Sequence, residues 1–167
     1  MAGGRFAAKI VPCLWFDSQA EEAANFYVSV FPRSKIGNIV RYGEAGHDVH
    51  GMPAGSVLTV DFELDGQSFT GLNGGPHFKF TEAISFQVFC ETQEEIDYFW
   101  EKLSADPDAE QCGWLKDRFG LSWQIVPTVL AGMLTDPDRS RSERVMNALL
   151  AMKKLEVAAL QAAYDQS

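Results

Sequence analysis

One pattern occurs twice in this chain, and it limits what the chain can become. An apolar run leads into a helix-capping box and then an amphipathic helix. The first copy is Lys9-Ile10-Val11-Pro12-Cys13-Leu14-Trp15-Phe16 followed by Ser18-Gln19-Ala20-Glu21; the second is Ala83 to Cys90 followed by Thr92-Gln93-Glu94-Glu95. In such a box a hydroxyl, and a carboxylate three residues on, satisfy backbone N–H groups of the first turn. Ala20, Ala23, Ala24, Tyr27 and Phe31 then recur at helical spacing until Pro32, and Ile96, Phe99, Trp100 and Leu103 do the same. A shift of 74 positions lays Ser18 on Thr92 and Phe26 on Trp100. Strand-like segments follow both helices, so the expected plan is a duplicated strand–helix–strands module of the α+β class.

In the first copy a strand is expected over 34–42, then a loop over 43–55 whose four glycines and one proline suit no regular element. Ser56–Leu64 and Gln67–Asn73 form a hairpin across Asp65-Gly66, since both turn positions tolerate positive φ. Leu58, Val60, Phe62 and Leu64 alternate with Thr59, Asp61 and Glu63, giving one buried and one polar face. Strands are expected again at Glu110–Gly113, Trp114–Asp117 and Leu121–Val126. Helices follow over 128–135 and from Asp136-Pro137-Asp138, with a stripe of Val145, Leu149 and Met152, and helical character resumes from Leu155 to Tyr164. The whole reads as one domain over 1–167: module one about 8–75, module two about 82–127, and a helical tail over 128–167 that packs on its own domain or on a partner subunit.

A chain of 167 residues can bury a sizeable core without disulfides or metal. Its net charge of −9 and scattered 14 basic residues argue against nucleic acid or an anionic membrane surface, which need a clustered positive face. No stretch approaches the roughly 18 apolar residues of a membrane helix, and Met1–Lys9 lacks the pattern of a secretory leader. Cys13, Cys90 and Cys112 have no C-x-x-C spacing, and two lie in apolar strand-like surroundings. They are expected as buried free thiols, which places the protein in the cytoplasm.

Several runs together resemble a known family. They are Leu14-Trp15-Phe16-Asp17 with Ala20-Glu21-Glu22-Ala23 and Phe26-Tyr27; Leu72-Asn73-Gly74-Gly75-Pro76-His77-Phe78; Cys112-Gly113-Trp114-Leu115-Lys116-Asp117; and Gly120-Leu121-Ser122-Trp123-Gln124-Ile125-Val126-Pro127. Over roughly residues 8 to 163 the chain resembles the PhnB-like branch of the vicinal oxygen chelate superfamily, whose members carry the label 3-demethylubiquinone-9 3-methyltransferase-like. The resemblance implies two β-α-β-β-β modules with curled mixed sheets around a cleft, C-terminal helices, and commonly a homodimer. Enzymes of the wider superfamily hold a divalent metal with His or Glu from their first, fourth, fifth and eighth strands. Here Lys9–Phe16 offers only Cys13, Gln67–Asn73 and Ala83–Phe89 offer no such ligand, and the eighth-strand Glu is replaced by Gln124. Neither a metal nor another cofactor is therefore expected. Methyl donors carrying an adenosyl group are usually held by a Gly-rich turn between a strand and a helix, followed by an acidic residue that grips the ribose. Asn73-Gly74-Gly75-Pro76 and the loop around His47 do not fit that description.

The candidate ligand-binding residues are Trp15, Asn73, His77, Trp114 and Gln124. Aromatic lining with a few amides suits an apolar or planar small molecule. Alternation puts Trp123 and Gln124 on opposite faces of the last strand; with Gln124 in place of the family's Glu, the resemblance implies that Gln124 faces the cleft and Trp123 faces outward toward a helix. His47 and His50, beside Glu44 and Asp48, are a further pair with metal-ligand chemistry on a solvated loop. The leading expectation is a metal-independent small-molecule-binding homodimer. The alternatives are an enzyme, using unconventional ligands such as His77, Glu82 or the His47 loop or acting as the labelled methyltransferase, and an interaction module with a dimer-forming tail and a filled cleft.

Overall fold

Pro12 has no N–H to give to a ladder, and the first strand begins only after it. β1 covers Cys13–Phe16, while Ile10 is 86 % exposed instead of belonging to a buried strand from Lys9. The structure, a computed structural model, describes residues 8–166; Met1–Ala7, most of the stretch tested above for a leader, lies outside them. The chain is α+β, with two open mixed sheets and C-terminal helices, and divides between Lys79 and Phe80 into two compact units.

The first unit runs β1, α1 (Ala20–Val30), β2 (Lys35–Arg41), the one-turn helix α2 (His47–His50), β3 (Val57–Leu64) and β4 (Gln67–Asn73). Its strand order is β1-β4-β3-β2, with β1 parallel to β4 and the other pairs antiparallel. Asp65 and Gly66 take φ of 49° and 82°, as the expected two-residue hairpin requires. The alternation in β3 holds from Val60 onward, where Val60, Phe62 and Leu64 are buried with Leu14, Phe16 and Phe69 under α1; Leu58 is only half-buried, and Val57 beside it is buried instead. The helix meets the sheet through Ala20, Ala23 and Ala24. A Cβ at Gly71 would lie 3.2 Å from that of Ala20, so small residues on both sides set the close approach.

α1 does not use its expected capping box. Its N-cap is Gln19, without a side-chain cap bond. The Ala20 N–H instead donates to Asn73 Oδ1 at 2.8 Å, from the end of β4. The second box does form: Glu95 N–H donates to Thr92 Oγ1 at 3.2 Å, and the Glu95 carboxylate accepts the Glu91 N–H at 2.7 Å. Thr92→Ala should therefore cost about 1 kcal/mol and Ser18→Ala no more than a few tenths. Urea unfolding of the two variants checks the difference.

The second unit runs β5 (Ser85–Cys90), α3 (Gln93–Leu103), β6 (Trp114–Lys116) and β7 (Ser122–Pro127), then α4 (Leu130–Leu134), α5 (Arg139–Leu150) and α6 (Val157–Asp165). The order β5-β7-β6, with β5 parallel and β6 antiparallel to β7, repeats β1-β4-β3. The strand expected at Glu110–Gly113 is reduced to a single bridge, Gln111 to Trp114. Cys112 and Gly113, at φ 51° and 85°, fold that segment back in a tight turn. Their N–H groups donate to the Met152 and Lys153 carbonyls at 2.8 and 2.7 Å, so the tail occupies hydrogen bonds that a further strand would use. The tail packs within its own unit: Leu130, Met133, Val145, Leu155 and Leu160 form one buried cluster, joined by Leu149 and Met152. Among the described residues no helix is long and apolar enough to cross a membrane.

The cysteine expectation is corrected in part. All three are free, but Cys13, on the face of β1 away from α1, is exposed, and Cys112, whose sulfur lies 3.8 Å from the Leu150 carbonyl in the turn before β6, is half-buried; Cys90 alone is buried. Burial, helped by Glu95, pushes the Cys90 thiol up to about 12.

Candidate functional site

Each sheet turns one face to its helix and leaves the other for contacts of a different kind. On the first sheet the ladder register places Cys13, Trp15, Thr70, Leu72, Thr59 and Asp61 on the face away from α1. Thr70 Oγ1 donates to Asp61 Oδ1 at 3.0 Å. Partial burial, with the Asp61 charge second, holds the Cys13 thiol above its usual range, which makes it a poor nucleophile. Trp15 is fixed: its indole Nε1 donates to the Gly75 carbonyl at 2.9 Å, and Phe78 meets the ring edge-on at 4.8 Å. A Cβ on Gly74 would fall 2.2 Å from the Trp15 ring, so glycine is required there for space. His77 lies on the same turn and is exposed, its ring over Gly75.

Asn73 is 4 % exposed, and both polar atoms of its side chain already hold the fold together. Oδ1 accepts from Ala20, Nδ2 donates to the Val57 carbonyl at 3.1 Å, and its own carbonyl accepts the Tyr42 hydroxyl at 2.6 Å. The His47 loop is similarly committed. The one-turn α2 stands between Gly46 and Gly51, at φ 79° and 66°, in a loop expected to hold no regular element. His50 Nε2 lies 3.1 Å from the Ala45 carbonyl and Nδ1 accepts the Met52 N–H at 2.9 Å. Both ring nitrogens of His50 thus hold the loop itself. Among the described residues no group of three or more His, Cys, Asp or Glu side chains converges.

The second sheet brings two expected site residues together. Trp114 and Gln124 are direct cross-strand partners, and Gln87 of β5 faces Gln124 from the other side. The row next to them is Lys116, Ser122 and Ser85, and beyond Gln124 come Val126 and Phe89. Gln124 Nε2 donates to Ser85 Oγ at 2.8 Å. Lys116 Nζ pairs with Glu82 at 2.5 Å; that hydrogen bond, then one from Glu82's own backbone, then the lysine charge, hold the Glu82 carboxyl below its usual range. Trp123 lies on the opposite face, 3 % exposed, its Nε1 donating to Asp117 Oδ2 at 2.9 Å. The alternation argued for Gln124 and Trp123 is therefore the observed one. Lys116, Ser122, Ser85 and Gln87 were not singled out from the sequence, although the alternation that turns Gln124 outward applies equally to Ser122.

These registers allow a direct test of the metal that the fold implies. Cys13 faces Thr70 across the parallel pair of the first sheet, and Gln87 faces Gln124 across that of the second. The first pair is a thiol held above its usual range beside a hydroxyl, and the second is two neutral amides; neither pair supplies the imidazole or carboxylate that hard and borderline divalent ions take, and a protonated thiol is a poor ligand. The residues present do not fit the metal. A methyl-donor cofactor fits no better: the turns between strand and helix, Asp17-Ser18-Gln19 and Glu91-Thr92, hold no glycine.

Comparison with known proteins agrees with this architecture. None of the curated proteins matches the chain. A solved structure described as putative 3-demethylubiquinone-9 3-methyltransferase, PhnB protein, from Bacillus cereus is 38 % identical, with 72 % of this chain and 100 % of that one covered and a TM-score of 0.60. Protein PA1353 from Pseudomonas aeruginosa, 16 % identical over 72 % of this chain and 98 % of its own at a TM-score of 0.53, shares the fold. The family model described as 3-demethylubiquinone-9 3-methyltransferase matches residues 8–126 and stops short of the helical tail, which the sequence resemblance had included. With most of both sheets inside that match, the chain belongs to this PhnB-like family of the vicinal oxygen chelate fold.

Proposed function

We propose that the protein is a metal-independent small-molecule-binding protein whose ligand lies on the open face of the second sheet. The observation that carries this reading is the row Trp114, Gln124 and Gln87, an aromatic ring beside two amides on strands held rigid by their ladder. Such a row suits a planar or amphipathic molecule, with the ring supplying contact area and the amides orientation. Trp15 and His77, each set against Gly75 in the first unit, are a second set of ligand contacts in this reading. The homodimer and the cytoplasmic setting expected from the sequence belong to it too. β2 supports the former, as a sheet edge exposed along its length except at Ile36.

The test is a thermal-shift screen of aromatic and amphipathic compounds in the presence of a chelator. A ligand at about a hundred times its Kd stabilises by roughly 2.7 kcal/mol, which raises Tm by about 5 °C or more for a chain of this size. That shift should persist with chelator and shrink in Gln124→Ala. Binding that appears only on adding a divalent metal would overturn the reading.

A further inference from the structure

Ser122 presents an unusual feature in the second unit. It is 1 % exposed, and its hydroxyl is a buried polar side-chain atom without a hydrogen-bond partner. A buried hydroxyl in that state costs about 1–3 kcal/mol, and such groups call for an explanation. The residue lies on the central strand with Lys116 on one side and Ser85 on the other, on the face that carries Gln124. Lys116 is the one cation among the eight residues the register puts on this face: Ser85, Gln87, Phe89, Trp114, Lys116, Ser122, Gln124 and Val126. Its side chain is 26 % exposed and meets Glu82, which reaches in from outside the ladder and is 62 % exposed. An exposed carboxylate on a surface ion pair is held weakly, so it can be exchanged for another anion.

We infer that Lys116, Ser122 and Ser85 form an anion subsite, which takes the carboxylate or phosphate of a ligand whose aromatic or apolar body lies over Trp114, Gln124 and Phe89. Glu82 occupies the lysine when no ligand is bound. The incoming anion displaces it, accepts from the Lys116 ammonium and gives the Ser122 hydroxyl its missing partner. The face is graded accordingly, from charge at Lys116 through amides at Gln87 and Gln124 to carbon at Val126 and Phe89. The ligand class that matches this gradient is an aromatic or amphipathic acid. This inference rests on the small-molecule reading above and adds the charge of the ligand to it.

Three probes of one shape separate the possibilities: naphthoate, naphthyl phosphate and the neutral naphthamide, titrated by calorimetry against the full chain. Either acid should bind about tenfold more tightly than the amide, the worth of one charge-assisted hydrogen bond, and the tighter acid tells carboxylate from phosphate. Lys116→Met should abolish that preference with naphthamide affinity unchanged, and Ser122→Ala should reduce it about threefold. Glu82→Gln, an exposed change that leaves the core untouched, should raise affinity for the acids only. Equal binding of acids and amide, or a preference that survives Lys116→Met, overturns the subsite and leaves the small-molecule reading standing. Binding of none of the three at millimolar concentration overturns both.

Discussion

Asp117→Ala should lower the unfolding midpoint by roughly 10 °C, the largest single-residue effect expected in the second unit. Asp117 is 3 % exposed, and its carboxylate accepts from Phe119, Leu121 and Trp123. Its Oδ1 takes the N–H groups of Phe119 and Leu121 at 2.8 and 3.1 Å, and Oδ2 takes the indole of Trp123 at 2.9 Å. The carboxylate thereby closes the turn between β6 and β7, in which Gly120, at φ 85°, returns an N–H to the Asp117 carbonyl, and ties that turn to the aromatic core. Alanine leaves three N–H donors short of a partner, a cost of about 3–5 kcal/mol. Asp117→Asn should fall between: it keeps one acceptor but presents an amide N–H to the Trp123 N–H. Adding Trp123→Phe removes that opposition, so the two changes should couple by about 1 kcal/mol in a double-mutant cycle. A loss below about 0.5 kcal/mol in Asp117→Ala, measured by urea unfolding, would mean that the turn closes without the carboxylate.

Asn73→Ala should cost about 3 kcal/mol and leave ligand affinity unchanged. The amide satisfies the first N–H of α1 and the Val57 carbonyl, both buried, and each group left unpaired costs about 1–3 kcal/mol. Asn73→Asp should be milder, because a carboxylate still accepts from Ala20 at the positive end of the helix while losing the donor to Val57. Chemical denaturation gives the stabilities, and titration with naphthoate gives the affinity. Stability close to the parent's, together with lost binding, would return Asn73 to the list of ligand contacts.

Local chemistry was legible in the sequence, and long-range exchange of partners was not. The Asp65-Gly66 turn, the alternation of β3 from Val60 onward and the Thr92 cap each depend on residues a few positions apart, and each is found as expected. The Ser18 box has the same local signal, yet Asn73, 53 positions away in the chain, takes its place. A distant amide held rigidly on a strand end competes well with a mobile hydroxyl. The Glu110–Gly113 strand failed for a similar reason: Cys112 and Gly113 give their N–H groups to the tail, which no spacing within module two reveals. The part played by Asp117 could have been read, since Asp-x-x-Gly is a turn signature and an indole follows six positions after the aspartate. For the site, sequence placed Gln124 and Trp114 on candidate strands, but only the register joined them and added Lys116 and Ser122.

Residue-resolved amide NMR during titration with naphthoate, chelator present, bears most directly on the binding proposal. Shifts should concentrate on the backbone of Ser85, Gln87, Trp114, Lys116, Ser122 and Gln124, with the Gln124 side-chain amide and Trp114 indole moving in step. Shifts confined to the tail helices or the His47 loop, or saturation that requires added divalent metal, would contradict it.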